Sequence, residues 1–494
     1  METTYPLLST ISQQQPSSRQ RTTVIALAVL AFLLSGMPKL NVSLGAPLYA
    51  VDLVILYLLI KSYWVKTPKE KRLRRIRYKG YPQAIVVLLS SYLFFVMIGE
   101  IHGGFVYDMP LESIYILIRS CLAISIAYII PKQVRTLFEL RTILQGVCLG
   151  LLLSATLAML YSVPTTRGMT DTLFSLKALA PNSDAIVGSG NIYYDQEFSG
   201  NYRGLTLIGA STFSSGVMAT LWPMLFVGLS ASYRRGLKGA WKLLHWLAIG
   251  VVPLGVLATY GRSAWLSILL VLVSMLLWGS SRGRLKLLVS VVLTGLLIGQ
   301  IGVGEVTSKL PLVDRVINKT QLTVESGAAT ESEAERFLAY VEPFSHLTRH
   351  PSFLLMGSGA AQRRWAGNVY EEADTASHAI PGMAYYAYGV GGALCQIGLM
   401  ILTFGTIYRR LRQAQRHLPG AVWIWRSLLA CWFGLLPWWC FGHGIVTAPR
   451  GAMVFFFFIG VLLAYDQIFT RLCAQAASTK TALSSVQPTS GPAL

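Results

Sequence analysis

The chain has 494 residues, of which 53% are hydrophobic and only 13% charged. That composition excludes a string of soluble domains and predicts a polytopic membrane protein whose core faces lipid. Forty-two Lys and Arg against 22 Asp and Glu give a net charge of +20, but the cations sit in turns between apolar runs, which is a topological pattern and not a nucleic-acid surface.

The polar N-terminus, residues 1–21, lacks the small-residue cleavage site of a signal peptide and reads as a cytoplasmic tail. Apolar runs long enough to span follow at 22–36, 47–64, 82–99, 111–130, 140–162, 204–231, 243–260, 263–278, 286–301, 381–405, 421–441 and 451–469. They predict an all-α fold of about 12 transmembrane helices. Residues 22–301 hold the first nine, with an outer loop at 163–203; residues 302–380 form a long periplasmic loop; residues 381–469 hold the last three; and the Ser/Thr/Ala-rich 470–494 reads as a disordered cytoplasmic tail.

With Arg19 and Arg21 inside, alternate turns collect the basic clusters: Lys66 to Lys79, Lys132 with Arg135, Arg234 to Lys242, Arg282 to Lys286, and Arg409 to Arg416. Every one meets the positive-inside rule, with a minor contribution from contact with anionic lipid. The six cysteines all fall within or at the ends of apolar runs, which excludes a disulfide framework and a CxxC metal site.

The same alternation puts 302–380, the longest polar segment, on the outer face. Glu331 to His346 within it predicts an amphipathic helix, with Phe337, Tyr340, Val341 and Phe344 on one face, ended by Pro351 and the Gly357-Ser358-Gly359 turn. Cations on that side adjoin apolar runs: Arg203 in Tyr202-Arg203-Gly204, Arg262 in the tight interspan turn Tyr260-Gly261-Arg262-Ser263, Arg336 in the long loop, and His378 at its end. Guanidinium forks bind phosphate oxygens in pairs, so a lipid-linked diphosphate is the ligand this set suits. A single boundary Arg is more often a snorkelling anchor. Arg262 departs from that expectation, because its turn is too short to reach far into water and lies on the side where positive charge is otherwise avoided.

No Walker A, HExxH, GxSxG or CxxC pattern occurs. Gly389-Val390-Gly391-Gly392 reads as close helix packing. Glu100, His102 and Asp108 share a short outer loop in which a solvated turn is a stronger reading than a metal site. Asp52 and Arg119 are the few ionisable residues deep in apolar runs, fewer than a transporter pathway would need.

The order of Arg203-Gly204 before a span, Arg262 in a tight turn, Arg336 opening an amphipathic segment, His350-Pro351 with Gly357 and Gly359, and His378 leading to Tyr388-Gly389 and Gly391-Gly392 resembles the O-antigen ligase and polymerase superfamily. The resemblance implies a GT-C-like helical fold in the bacterial inner membrane and transfer of a glycan from undecaprenyl diphosphate to a lipid or glycan acceptor, without metal or other cofactor. It also implies that Arg203, Arg262 and Arg336 hold the diphosphate and that His378 is the base. Ligase and polymerase activities are both compatible with it, as is membership of an exopolysaccharide or capsule system. A secondary transporter or flippase is the reading from a different class.

Overall fold

The computed structural model describes residues 18–37, 49–63, 80–163, 165–166, 168–169, 206–207, 211–229, 239–259, 262–278, 351–360, 380–441 and 449–486, and the regular elements within them are all helical. In chain order they are α1 (Ser18–Gly36), α2 (Ala50–Tyr63), α3 (Tyr81–Val106), α4 (Pro110–Gln133), α5 (Leu137–Ser162), α6 (Ser211–Leu221, continued by a tighter turn Trp222–Leu229), α7 (Gly239–Ala258), α8 (Arg262–Trp278), α9 (Pro351–Met356), α10 (Ile380–His417), α11 (Val422–Phe441) and α12 (Pro449–Val486). Seven of these, α3, α4, α5, α7, α10, α11 and α12, contain stretches long and apolar enough to cross a membrane. The described chain is therefore an all-helical, multi-pass membrane protein. In lipid an apolar segment can satisfy its own amides only as a helix, which is why composition alone forces this choice.

Local chemistry sets the ends. Pro82 and Pro110 occupy first turns, where a missing N–H costs nothing. Thr136 caps α5 in a closed box: its hydroxyl accepts from Glu139 N–H at 3.3 Å, and the Glu139 carboxylate accepts from Thr136 N–H at 3.0 Å. Pro351, expected to end an amphipathic helix, instead opens α9, since its fixed φ suits a first turn. The last helix continues past residue 469 to Val486, carried by the good helix formers of Ala474-Gln475-Ala476-Ala477. The run expected at 286–301 and the amphipathic segment of 331–346 lie outside the described residues.

The bundle is organised around α12, whose span is 94% buried and whose Phe455 to Phe458 are shut off from the surroundings. It lies along α4, with Gly460 against Ile126 and Ile130. Small residues set the closest approaches elsewhere. Gly36 of α1 meets Gly150 of α5, and the Ser154 hydroxyl donates across the same pair to the Ser35 carbonyl at 2.9 Å. None of the six cysteines is in a disulfide.

Contacts between helix ends collect Lys61, Lys132, Arg135, Arg409 and Arg410 at one end of the bundle, while the basic clusters at 66–79 and 282–286 lie outside the described residues. Lys61 donates to Thr22, Gln133 to Ser62, and Lys132 lies over the Tyr63 ring. Arg410 pairs with Asp466 at 2.5 Å, and Arg409 approaches Gly80. A second ion pair among the described residues, Arg119 to Asp52 at 3.4 Å, is almost wholly enclosed and has Arg119 stacked 4.4 Å from the Tyr49 ring. The two ionisable residues that the sequence left unexplained in apolar runs thus neutralise each other.

Candidate functional site

Away from the basic end, α3 and α10 are joined by α9 and the segment after it. The α10 helix is broken at Gly389, where φ is 68° and ψ is −175°. A break exposes carbonyls that the helix would otherwise satisfy, and at membrane depth they need other partners. The segment 358–359 supplies them: Ser358 N–H donates to the Tyr386 carbonyl at 2.9 Å, Gly359 N–H donates to the Ala387 carbonyl at 3.0 Å, and the Ser358 hydroxyl adds a bond to Tyr386 at 3.0 Å.

On the other side the same segment is held by α3. Fully buried Glu100 accepts from Ala360 N–H at 2.8 Å, and His102 Nδ1–H donates to the Gly357 carbonyl at 2.7 Å. His102 also packs edge-on against Phe353 of α9. Contact this close requires glycine on each surface. A Cβ on Gly99 would lie 2.5 Å from the Ala387 carbonyl oxygen, one on Gly103 would overlap Ser358 backbone, and one on Gly389 would lie 2.5 Å from the Leu355 carbonyl. Gly357 and Gly359 both take φ of 75°, which disfavours any other residue.

This arrangement corrects the solvated-turn reading of Glu100, His102 and Asp108. Only Asp108 is exposed, in a left-handed turn at φ 53°. Glu100 is interior and His102 is committed to Gly357. Among the described residues no three His, Cys, Asp or Glu side chains gather as metal ligands. The signal that could have found Glu100 is its place between Gly99 and Gly103 on one helix, small residues that admit another backbone beside a buried acceptor. The close-packing reading of Gly391 agrees with the geometry, since a Cβ there would overlap the Phe95 ring.

Of the residues expected to bind or react, Arg203, Arg336 and His378 lie outside the described residues. Arg262 is described through its backbone as the first residue of α8, separated from the end of α7 only by residues 259–261. At the end of α7 the buried Thr259 hydroxyl donates to the Val256 carbonyl at 2.7 Å. One turn into α8, the buried indole N–H of Trp265 has no acceptor among the described residues. Thr206, three residues after Arg203, is bound to Ser214 of α6 at 2.7 Å, and α6 packs against α8. Ile380, two residues after His378, begins α10 just above the clamped segment. No protein-family model matches the chain, and no curated protein matches it.

Proposed function

We propose that this chain is a membrane glycosyltransferase of the O-antigen ligase type, GT-C-like and with about twelve spans. It transfers a glycan from undecaprenyl diphosphate to an acceptor hydroxyl on the outer face of the bacterial inner membrane. The observation that carries the reading is the position of Arg262 as the first residue of α8. A helix N-terminus presents free N–H groups and about half a positive charge, so a lone cation there is unfavourable by about 0.3–1 kcal/mol unless an anion shares the site. A diphosphate supplies that anion. The Trp265 N–H nearby, without an acceptor among the described residues, adds a donor suited to the same ligand.

In the proposed reaction the acceptor oxygen bonds to the anomeric carbon while the bond from that carbon to the diphosphate breaks. Negative charge grows on the departing diphosphate, where Arg203, Arg262 and Arg336 stabilise it. His378 takes the acceptor proton. The clamp on α10 supports this assignment, because it fixes the helix that begins two residues after His378.

Purified protein incubated with an undecaprenyl diphosphate glycan, with and without a lipid acceptor, tests the proposal. Product only with the acceptor means ligase, and a ladder without it means an O-antigen, exopolysaccharide or capsule polymerase. Absence of transfer under both conditions refutes the glycosyltransferase reading. The break at Gly389, caught by an inserted segment, favours one alternative, a secondary transporter or flippase, since such folds bind substrate at interrupted helices. Uptake of labelled lipid-linked glycan into proteoliposomes without glycan transfer would select it.

A further inference from the structure

The pairing of α3 with α10 loosens steadily toward the basic end. Three glycines seven residues apart on α10 face three side chains seven apart on α3. A Cβ on Gly391 would overlap the Phe95 ring, one on Gly398 would lie 2.8 Å from Leu88, and one on Gly405 would lie 3.7 Å from Tyr81. Where the helices part, a cleft of about 220 Å³ opens, lined by Gly80, Tyr81, Pro82, Thr406, Arg409 and Arg410.

The two arginines of this cleft differ in their engagement. Arg410 is held by Asp466, Gln413 and Thr470. Arg409 is exposed, lies 5.8 Å from the Tyr81 ring, and feels the Asp466 carboxylate only through space, with no carboxylate at ion-pair distance among the described residues. Thr406 turns its hydroxyl back to the Leu402 carbonyl, so the guanidinium is the polar group left to meet a ligand. Leu394 and Ile401, seven residues apart on one row of α10, are exposed, as is Val87 on α3; Ile401 lies about two helical turns from Arg409 along the helix, and the Leu394–Ile401 row is an apolar track on the same helix as the cation.

We propose that this cleft binds the headgroup of an anionic phospholipid, with the phosphate on Arg409 and an acyl chain along Ile401 and Leu394. Charge complementarity and position argue for a lipid. The cleft sits at the end where the basic turns collect, and its apolar track leads into the hydrocarbon. A free phosphate would use the cation but gain nothing from the track.

The test titrates the purified full-length protein, in neutral detergent, with phosphatidylglycerol, phosphatidylcholine or inorganic phosphate, reading the thermal midpoint and the lipid retained in native mass spectrometry. Phosphatidylglycerol is expected to be retained and to raise the midpoint, and the other two are not. Arg409→Gln should weaken phosphatidylglycerol binding about fivefold, as one boundary cation is worth, whereas Arg416→Gln on the same helix should leave it unchanged. Gly405→Leu, which presses a side chain against Tyr81 of the cleft wall without altering charge, should weaken it as well. Equal losses for Arg409→Gln and Arg416→Gln, full binding by Gly405→Leu, or an equal response to phosphate alone would overturn the proposal.

Discussion

Gly103→Ala probes the clamp most directly. A Cβ there would overlap the Ser358 carbonyl oxygen and come within 2.7 Å of its carbon and 3.0 Å of Gly359 Cα. These are backbone atoms, which cannot rotate aside. Two responses relieve the clash. Separating α3 from α10 strains a close-packed pair and costs about 1–3 kcal/mol, the range for overpacking. Expelling 357–360 gives up the bonds donated by Ser358, Gly359 and Ala360 N–H, about 1 kcal/mol each, and leaves buried carbonyls unpaired for another 1–3. Strain is the lower path, so the variant should lose about 2–3 kcal/mol with the segment still docked. Gly405→Ala on the facing helix is the control: its nearest neighbour is 3.7 Å away, and removing a helical glycine should leave stability unchanged or raise it by up to about 1 kcal/mol. Denaturant titration in mild detergent, followed by tryptophan fluorescence, compares them. Equal stability of the two variants would refute the clamp as the close contact of this interface.

Asp52→Ala or Arg119→Ala alone should destabilise by about 3–5 kcal/mol, while Asp52→Leu with Arg119→Met should recover most of that loss, because a buried pair costs most when one charge is stranded; thermal melts of the three variants decide it. Arg262→Ala should reduce glycan transfer about 10²–10³-fold, and His378→Ala about 10²–10⁴-fold. Both should insert normally in the membrane fraction, and wild-type transfer by both would remove the proposed site. Thr136→Ala should cost about 1 kcal/mol through the lost α5 cap, and Thr136→Ser should restore it in the same melts.

Much of the helix pattern is legible without coordinates. Runs such as 82–99 and 140–162 have no alternative to helix in lipid, and α3 and α5 cover them. The alternation of cations was equally readable, and among the described residues the contacts from Lys61 to Arg410 bring Lys132, Arg135 and Arg409 to one end. The shortness of the connection before Arg262 is also legible in the gap between two apolar runs, and α7 ends at Ala258 while α8 starts at Arg262.

What the sequence could determine alone was whatever depends on local periodicity: helix positions, the grouping of basic turns, and the brevity of the α7–α8 connection. Tertiary structure decided everything that depends on which surfaces meet. Glu100 looks like a turn residue until α9 and Gly357 bring the Ala360 N–H to it. Asp52 and Arg119 look like costly charges until α2 and α4 lay them side by side. Gly389 looks like one packing glycine among several, yet it breaks the helix that follows His378. No local pattern encodes that break, because its cost is offset by amides contributed from a segment about thirty residues earlier in the chain.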